Sequence, residues 1–245
     1  MVSAKHMSVA SQWPVAVAAI GPVRAGTVLW SLSGSHQVSV IVKARLGLVA
    51  GGAMTLTEPC PIRVSPQGDD ADREIAPLLR RADVVLTGHA WAPLTPDGRR
   101  SAARSSARLA LRRGAQTLLD KRIDIYGDRG PSGEPAPFER LSLSYDRALG
   151  GPGFDANPSG RGAGDATNTQ PNLVDPRAPQ TAVACFAPVP ETFPSRHKLL
   201  GPQPPERLLA LIAAVPADLD WSYFQVAPLD QQLDRIVGDE WLLLE

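Results

Sequence analysis

The chain has 245 residues, 43% of them hydrophobic but only 5% aromatic, with 24 prolines and 21 glycines; this is enough for one large domain or two small ones, loop-rich and folded rather than disordered. Its 25 basic and 25 acidic residues cancel, which excludes an overall field that recruits nucleic acid or an anionic membrane. Lysine occurs only at Lys5, Lys43, Lys121 and Lys198, and the arginine excess is read as the bias of a GC-rich coding genome.

Residues 1–12 read as a flexible tail. The apolar run at 13–20 is short and broken by Pro14, so it does not make a signal peptide. No segment reaches the roughly 18 apolar residues of a membrane span, and the expectation is a cytoplasmic protein with no membrane insertion. In "QVSVIVKARL" (37–46), Val38, Val40, Val42, Ala44 and Leu46 share one face, the period-two pattern of a half-buried strand. Cys60 and Cys185 lack CxxC spacing, and unpaired buried thiols are the simplest reading.

Residues 70–83 hold at most a turn or two of helix, because Pro77 interrupts them. "ADVVLTGHAW" (82–91) alternates like a strand. "SSARLALRR" (105–113) and "AQTLLDKRIDIYGDR" (115–129) predict two strands joined at Gly114, and "FERLSLSYDRAL" (138–149) alternates through Leu141, Leu143 and Tyr145. From 150 to 205 there is little periodicity, and so long an irregular stretch points to a functional loop. "PPERLLALIAAVPADLDW" (204–221) fits a helix or a strand equally. Trp221, Tyr223 and Phe224 lie within four residues, either a core plug under a long loop or an interface anchor, the plug being the more economical reading. The fold class is mainly β: an antiparallel sandwich or barrel-like single domain spanning 1–245, with long irregular loops and little helix.

Searches for chemistry return little. No G-x-S-x-G elbow is present. The glycines of "YDRALGGPGFDANPSGRG" (145–162) are interrupted by Pro152 and Pro158, with no Lys-Ser/Thr and no following helix, so they do not cradle phosphate. His6, His36, His89 and His197 have no metal-ligand spacing. Asp155, Asp165, Asp175, Asp218, Asp220 and Asp230 lie in or beside loops; a hydrolase acting on carbohydrate through two of them is one alternative, and Asx turns and caps are the other. No catalytic residue, metal or cofactor is assigned.

The blocks "VSVIVKARLGL" (38–48), "RRADVVLTGHAWAP" (80–93), "SLSYDRALGG" (142–151), "NPSGRG" (157–162), "PNL" (171–173) and "YFQVAPLDQQ" (223–232) together resemble the DUF2169 family of bacterial proteins. The matching positions are Tyr145, Arg147, Gly150 and Gly151, then Asn157, Pro158, Gly160, Arg161 and Gly162, then Ala227, Pro228, Asp230 and Gln231. After the Pro-Asn-Leu block the family commonly shows a tryptophan, an arginine and a glycine; here Phe193 and Arg196 are the nearest equivalents. The resemblance implies a non-catalytic adaptor or chaperone of type VI secretion, whose partners are an effector encoded nearby and the PAAR and VgrG components of the spike. Arg147, Arg161, Asp230 and Gln231 either fasten the long loop to its own fold or contact such a partner, since a guanidinium suits carboxylates and clustered carbonyls alike. The final "GDEWLLLE" reads as a strand just begun, either shortened or completed by a partner.

Overall fold

Ser33 and Gly34 both take positive φ, 49° and 79°, the backbone of a two-residue hairpin turn whose twist matches its strands. It joins β1 (Val23–Leu32) to β2 (Ser35–Ala44) in full antiparallel register, from Leu32 opposite Ser35 to Val23 opposite Ala44. The computed structural model describes residues 17–63, 74–129, 133–163, 169–201, 215 and 219–245. The chain divides into two compact units: Met1–Leu79 with Leu200–Phe224, and Arg80–Leu199 with Gln225–Glu245. The expected tail at 1–12 and most of the ambiguous 204–221 element lie outside the described residues, as do Asp165, Asp218 and His6.

In the first unit, β1 and β2 are followed by the short pair β3 (Leu46–Gly47) and β4 (Thr55–Leu56). The β2 alternation is real but its facing is opposite to the sequence expectation. Val38, Val40 and Val42 are 45%, 54% and 62% exposed, whereas Ser39, Ile41 and Lys43 are half-buried. The reason lies on β1, where Val28 and Trp30 bury the opposite face. Trp30 Nε1 donates to Ser39 Oγ at 2.9 Å, and Ser39 Oγ in turn donates to the Pro77 carbonyl. Trp221 meets Trp30 edge-on at 5.5 Å, and Tyr223 beside it is buried. The aromatic group at 221–224 is therefore a core plug, on a single 3-10 turn.

The second unit is built on the hairpin of β7 (Arg104–Arg113) and β8 (Gln116–Tyr126), turned at Gly114 as expected and bulged at Leu111/Arg112. A four-stranded sheet runs in the order β12 (Leu173–Val174), β8, β7, β14 (Trp241–Leu244). Leu109, Leu111, Leu119, Ile123 and Ile125 bury its inner face with Leu141, Leu143, Leu173 and Phe186. Three two-stranded pairs complete the unit: β5 (Ala82–Asp83) with β13 (Gln232–Leu233), β6 (His89–Trp91) with β9 (Arg140–Ser142), and β10 (Leu149–Gly150) with β11 (Arg161–Gly162). Among the described residues its one α-helix, α1 (Pro194–His197), is four residues long.

Architecture is thus mainly β with little helix, and among the described residues no sheet closes into a barrel. Three expectations are corrected. The 82–91 strand is interrupted over residues 84–88, because the Val84 amide goes to the Gln231 carbonyl and the Leu86 amide to the Phe186 carbonyl. The 138–149 strand stops at Ser142, and Tyr145–Arg147 form a 3-10 turn. The C-terminal strand pairs within its own chain, Trp241 opposite Arg112 through Leu244 opposite Leu109. Cys60 and Cys185 are both free, as expected, but only Cys185 is buried and Cys60 is half-buried.

Candidate functional site

The long loop is held from inside by Asn157, which is fully buried and donates from Nδ2 to the carbonyls of Tyr145 (2.8 Å) and Leu149 (3.0 Å). Its own carbonyl accepts the Gly151 amide at 2.9 Å and the Gly160 amide at 3.3 Å. The second of these closes a turn with Pro158 at its second position, where the fixed φ of proline fits. The backbones come so close that a Cβ at Gly150 would collide with the Asn157 carbonyl. A Cβ at Gly160 would lie 2.7 Å from the Ala148 carbonyl. Only glycine satisfies both packing constraints. Beyond the turn the chain runs parallel to its own start, Leu149 beside Arg161 and Gly150 beside Gly162, with the Arg161 amide on the Ala148 carbonyl at 3.0 Å.

Both signature arginines turn back onto this frame. Arg161 Nε donates to the Asp146 carbonyl at 2.7 Å. Arg147 Nη1 donates to Asp128 Oδ1 at 2.9 Å and to Asn172 Oδ1 at 3.2 Å, and Arg161 Nη1 lies 3.8 Å from the same Asp128 oxygen. Asn172, buried, also donates to the Tyr126 carbonyl (3.0 Å) and to Asp128 (3.1 Å), and its amide goes to the Arg147 carbonyl at 2.8 Å. The Asn172 amide, and after it the two guanidiniums, hold the Asp128 carboxyl below the ordinary carboxylate range. Tyr145 is buried, its hydroxyl donating to the Ala187 carbonyl at 3.1 Å and its ring meeting Phe193 edge-on at 5.2 Å. Phe193 and Arg196, the departures from the family pattern, are both buried, and Arg196 Nη1 donates to the Val189 carbonyl at 2.6 Å.

Asp230 and Gln231 form a second cluster, under the four-stranded sheet. Gln231, with no exposure, donates to the carbonyls of Val84 (2.7 Å) and Phe186 (3.0 Å) and accepts Lys121 Nζ at 2.7 Å. Lys121 also reaches Asp230 at 3.0 Å. Burial lowers the Lys121 ammonium below its ordinary pKa against the pull of Asp230. The structure therefore brings Tyr145, Arg147, Gly150, Gly151, Asn157, Pro158, Gly160, Arg161 and Gly162 together, and holds Asp230 and Gln231 in a separate group.

Asp128 and Lys121 were missed in the sequence. Lys121 had a readable signal: it occupies the apolar phase of β8, between Leu119 and Ile123. Asp128 had none, because it follows the last strand residue and only the fold carries two distant arginines to it. Asp175 and Asp220 close Asx turns onto the amides of Arg177 (2.8 Å) and Ser222 (2.9 Å). Burial pushes the Cys185 thiol up to about 11, leaving it protonated and unreactive at neutral pH. Among the described residues no group of three or more His, Cys, Asp or Glu side chains is placed to hold a metal, and no helix is long and apolar enough to cross a membrane.

No curated protein and no solved structure matches this chain. A bacterial family described as an uncharacterized protein conserved in bacteria, DUF2169, matches residues 33–245 and takes in every signature position above; the chain belongs to the DUF2169 family.

Proposed function

We propose that this protein is a non-catalytic adaptor that binds a type VI secretion effector, of the kind carrying a PAAR or Rhs element, and presents it to the VgrG spike. The observation that carries the reading is where the signature's polar groups end. Asn157, Arg161 and Gln231 spend side-chain donors on backbone carbonyls, and Arg147 spends its own on Asp128 and Asn172. A general acid, base or nucleophile needs a group free to meet substrate at a suitable pKa; these groups instead make a stiff frame, which suits the presentation of a surface. The open apolar row of Val38, Val40 and Val42 adds surface of the kind that protein partners cover.

The test is co-purification of the tagged full chain with the product of the adjacent gene, from cells that express both. Recovery of that protein, or of a spike component, in a stable complex is the expected outcome. Repeated failure to recover either would remove the adaptor reading.

A further inference from the structure

Arginine usage was read above as a genomic bias, yet four arginines of the second unit share an arrangement that codon usage does not explain. In β9, Arg140 stands opposite Trp91 of β6, and its guanidinium lies 5.7 Å from the indole centroid. Arg100 lies over the same ring at 5.8 Å and donates to the Ala92 carbonyl at 2.9 Å. One strand pairing further on, Arg104 stands opposite Tyr126 and lies 5.6 Å from its ring, with Arg129 over that ring at 4.1 Å.

The two pairs are joined by backbone. Ala102 and Phe138 exchange hydrogen bonds of 3.2 and 3.0 Å, and Ala102 lies two residues from both Arg100 and Arg104, as Phe138 does from Arg140. The chain bends at Ala103 and, on the partner segment, at Glu139, and Arg100, Arg104 and Arg140 are all exposed around these bends.

What sets the group apart is the combination of an aromatic ring beneath each guanidinium and no counter-charge beside it. Arg108 and Arg113 of the same hairpin are each paired with two carboxylates, and Arg147 and Arg161 share Asp128. Among the described residues, Arg100, Arg104, Arg129 and Arg140 have rings, a backbone carbonyl and the Gln170 amide as partners, and no carboxylate. Burial lowers the Arg129 guanidinium below its ordinary value, and the Arg104 charge adds a smaller push in the same direction. A guanidinium resting on a ring is fixed in place with its N–H groups in the plane beside the ring; Arg100 and Arg129 each spend one of theirs on a protein acceptor.

We propose that this arginine–aromatic face is a docking surface for an acidic protein segment, whose Asp or Glu carboxylates are clamped by Arg100, Arg104, Arg129 and Arg140. Each guanidinium fork suits one carboxylate. Nucleic acid is the poorer fit, because single strands bind by stacking bases on open rings, and here the rings already carry guanidiniums. The inference goes beyond the adaptor reading by naming the chemistry recognised, and it stands whatever protein supplies the segment.

The test is fluorescence anisotropy with the full chain and a labelled alternating Glu-Ser peptide of about ten residues, against an oligothymidylate of matched charge. Saturable peptide binding is expected, weakened about tenfold in Arg104→Glu/Arg140→Glu. It is expected to weaken severalfold in Trp91→Ala, which removes no charge but releases two guanidiniums. Arg24→Glu/Arg45→Glu, with the same charge change on exposed residues of the first unit, is the control and should stay within about twofold of wild type. Arg104→Gln/Arg140→Gln, expected to weaken binding in the same direction, replaces the charge reversal if that variant fails to fold. Equal losses in the control and test pairs, tighter binding of the oligothymidylate, or no peptide binding would each overturn the proposal.

Discussion

Asn157 supports two carbonyls at once, and few other side chains fill that position as well. In Asn157→Ala the Leu149 carbonyl loses its donor inside the protein while the Tyr145 carbonyl keeps the Ala148 amide, and urea unfolding should show a loss of about 1–3 kcal/mol. Gly150→Ala drives a methyl into the Asn157 carbonyl and should cost at least about 1–3 kcal/mol. Arg161→Ala removes the bond to the Asp146 carbonyl from a side chain that is three-quarters buried. A fall in melting temperature together with cargo binding is expected; a fall in binding at unchanged melting temperature would instead mean that Arg161 touches cargo. Cys185 supplies a pH test. Its folded pKa is raised from 9.0 to about 11, so the folded state keeps the proton longer than the unfolded chain. That stabilisation is full below pH 9 and is lost as pH rises toward 11. From about pH 8 to 11, wild type should lose up to about 3 kcal/mol more than Cys185→Ala, and parallel stability curves would contradict a buried neutral thiol.

Outside the β1–β2 and β7–β8 hairpins the elements are short, and side chains rather than long ladders anchor them. The last strand is the clearest case. Glu240 accepts Arg113 Nη2 at 2.5 Å and the amides of Val237 (2.9 Å) and Gly238 (2.7 Å) just before β14 begins. Arg113 first, then these amides, hold its carboxyl at about 2 instead of 4.5. The depressed pKa means that the contribution is present above pH 4.5 and fades as pH falls toward 2. Glu240→Gln should therefore lower the urea midpoint at neutral pH, with the difference from wild type closing on acidification. A pH-independent difference would assign the effect to packing. The β7–β8 hairpin was legible in the sequence because Leu119, Lys121, Ile123 and Ile125 keep one buried phase along β8 and Gly114 marks the turn. The 138–149 segment misled because Leu141, Leu143 and Tyr145 are all buried, and burial alone does not distinguish a strand from a strand followed by a 3-10 turn.

At the scale of the whole molecule, the second unit is closed by residues far apart in sequence. Gln225 Oε1 accepts the amides of Arg80 (3.0 Å) and Arg81 (3.2 Å), Asp83 accepts the Val226 amide at 2.6 Å, and Gln231 bonds Val84 and Lys121. A chain ending at Phe224 would leave each of these groups without its partner and would remove β13 and β14. Such a truncation should fail to give a cooperative unfolding transition or a near-ultraviolet circular dichroism signal for the second unit, because buried polar groups that lose all partners cost more than a marginally stable domain holds. A cooperative transition at wild-type temperature would show the closure to be dispensable.

The sequence by itself determined the composition of the answer: a mainly β chain, a hairpin turned at Gly114, a long glycine-rich loop and membership of DUF2169. These are local quantities, set by period-two patterning, turn chemistry and the order of short motifs. Tertiary structure decided the facing and the partners. Val38, Val40 and Val42 face outward because Trp30 and Val28 on the neighbouring strand claim the other side. Arg147 and Arg161 meet on Asp128, and Lys121 meets Gln231 across 110 residues. Alternation fixes which side chains share a face but not which face is covered, and a polar residue's partner depends on distances that exist only once the chain has closed.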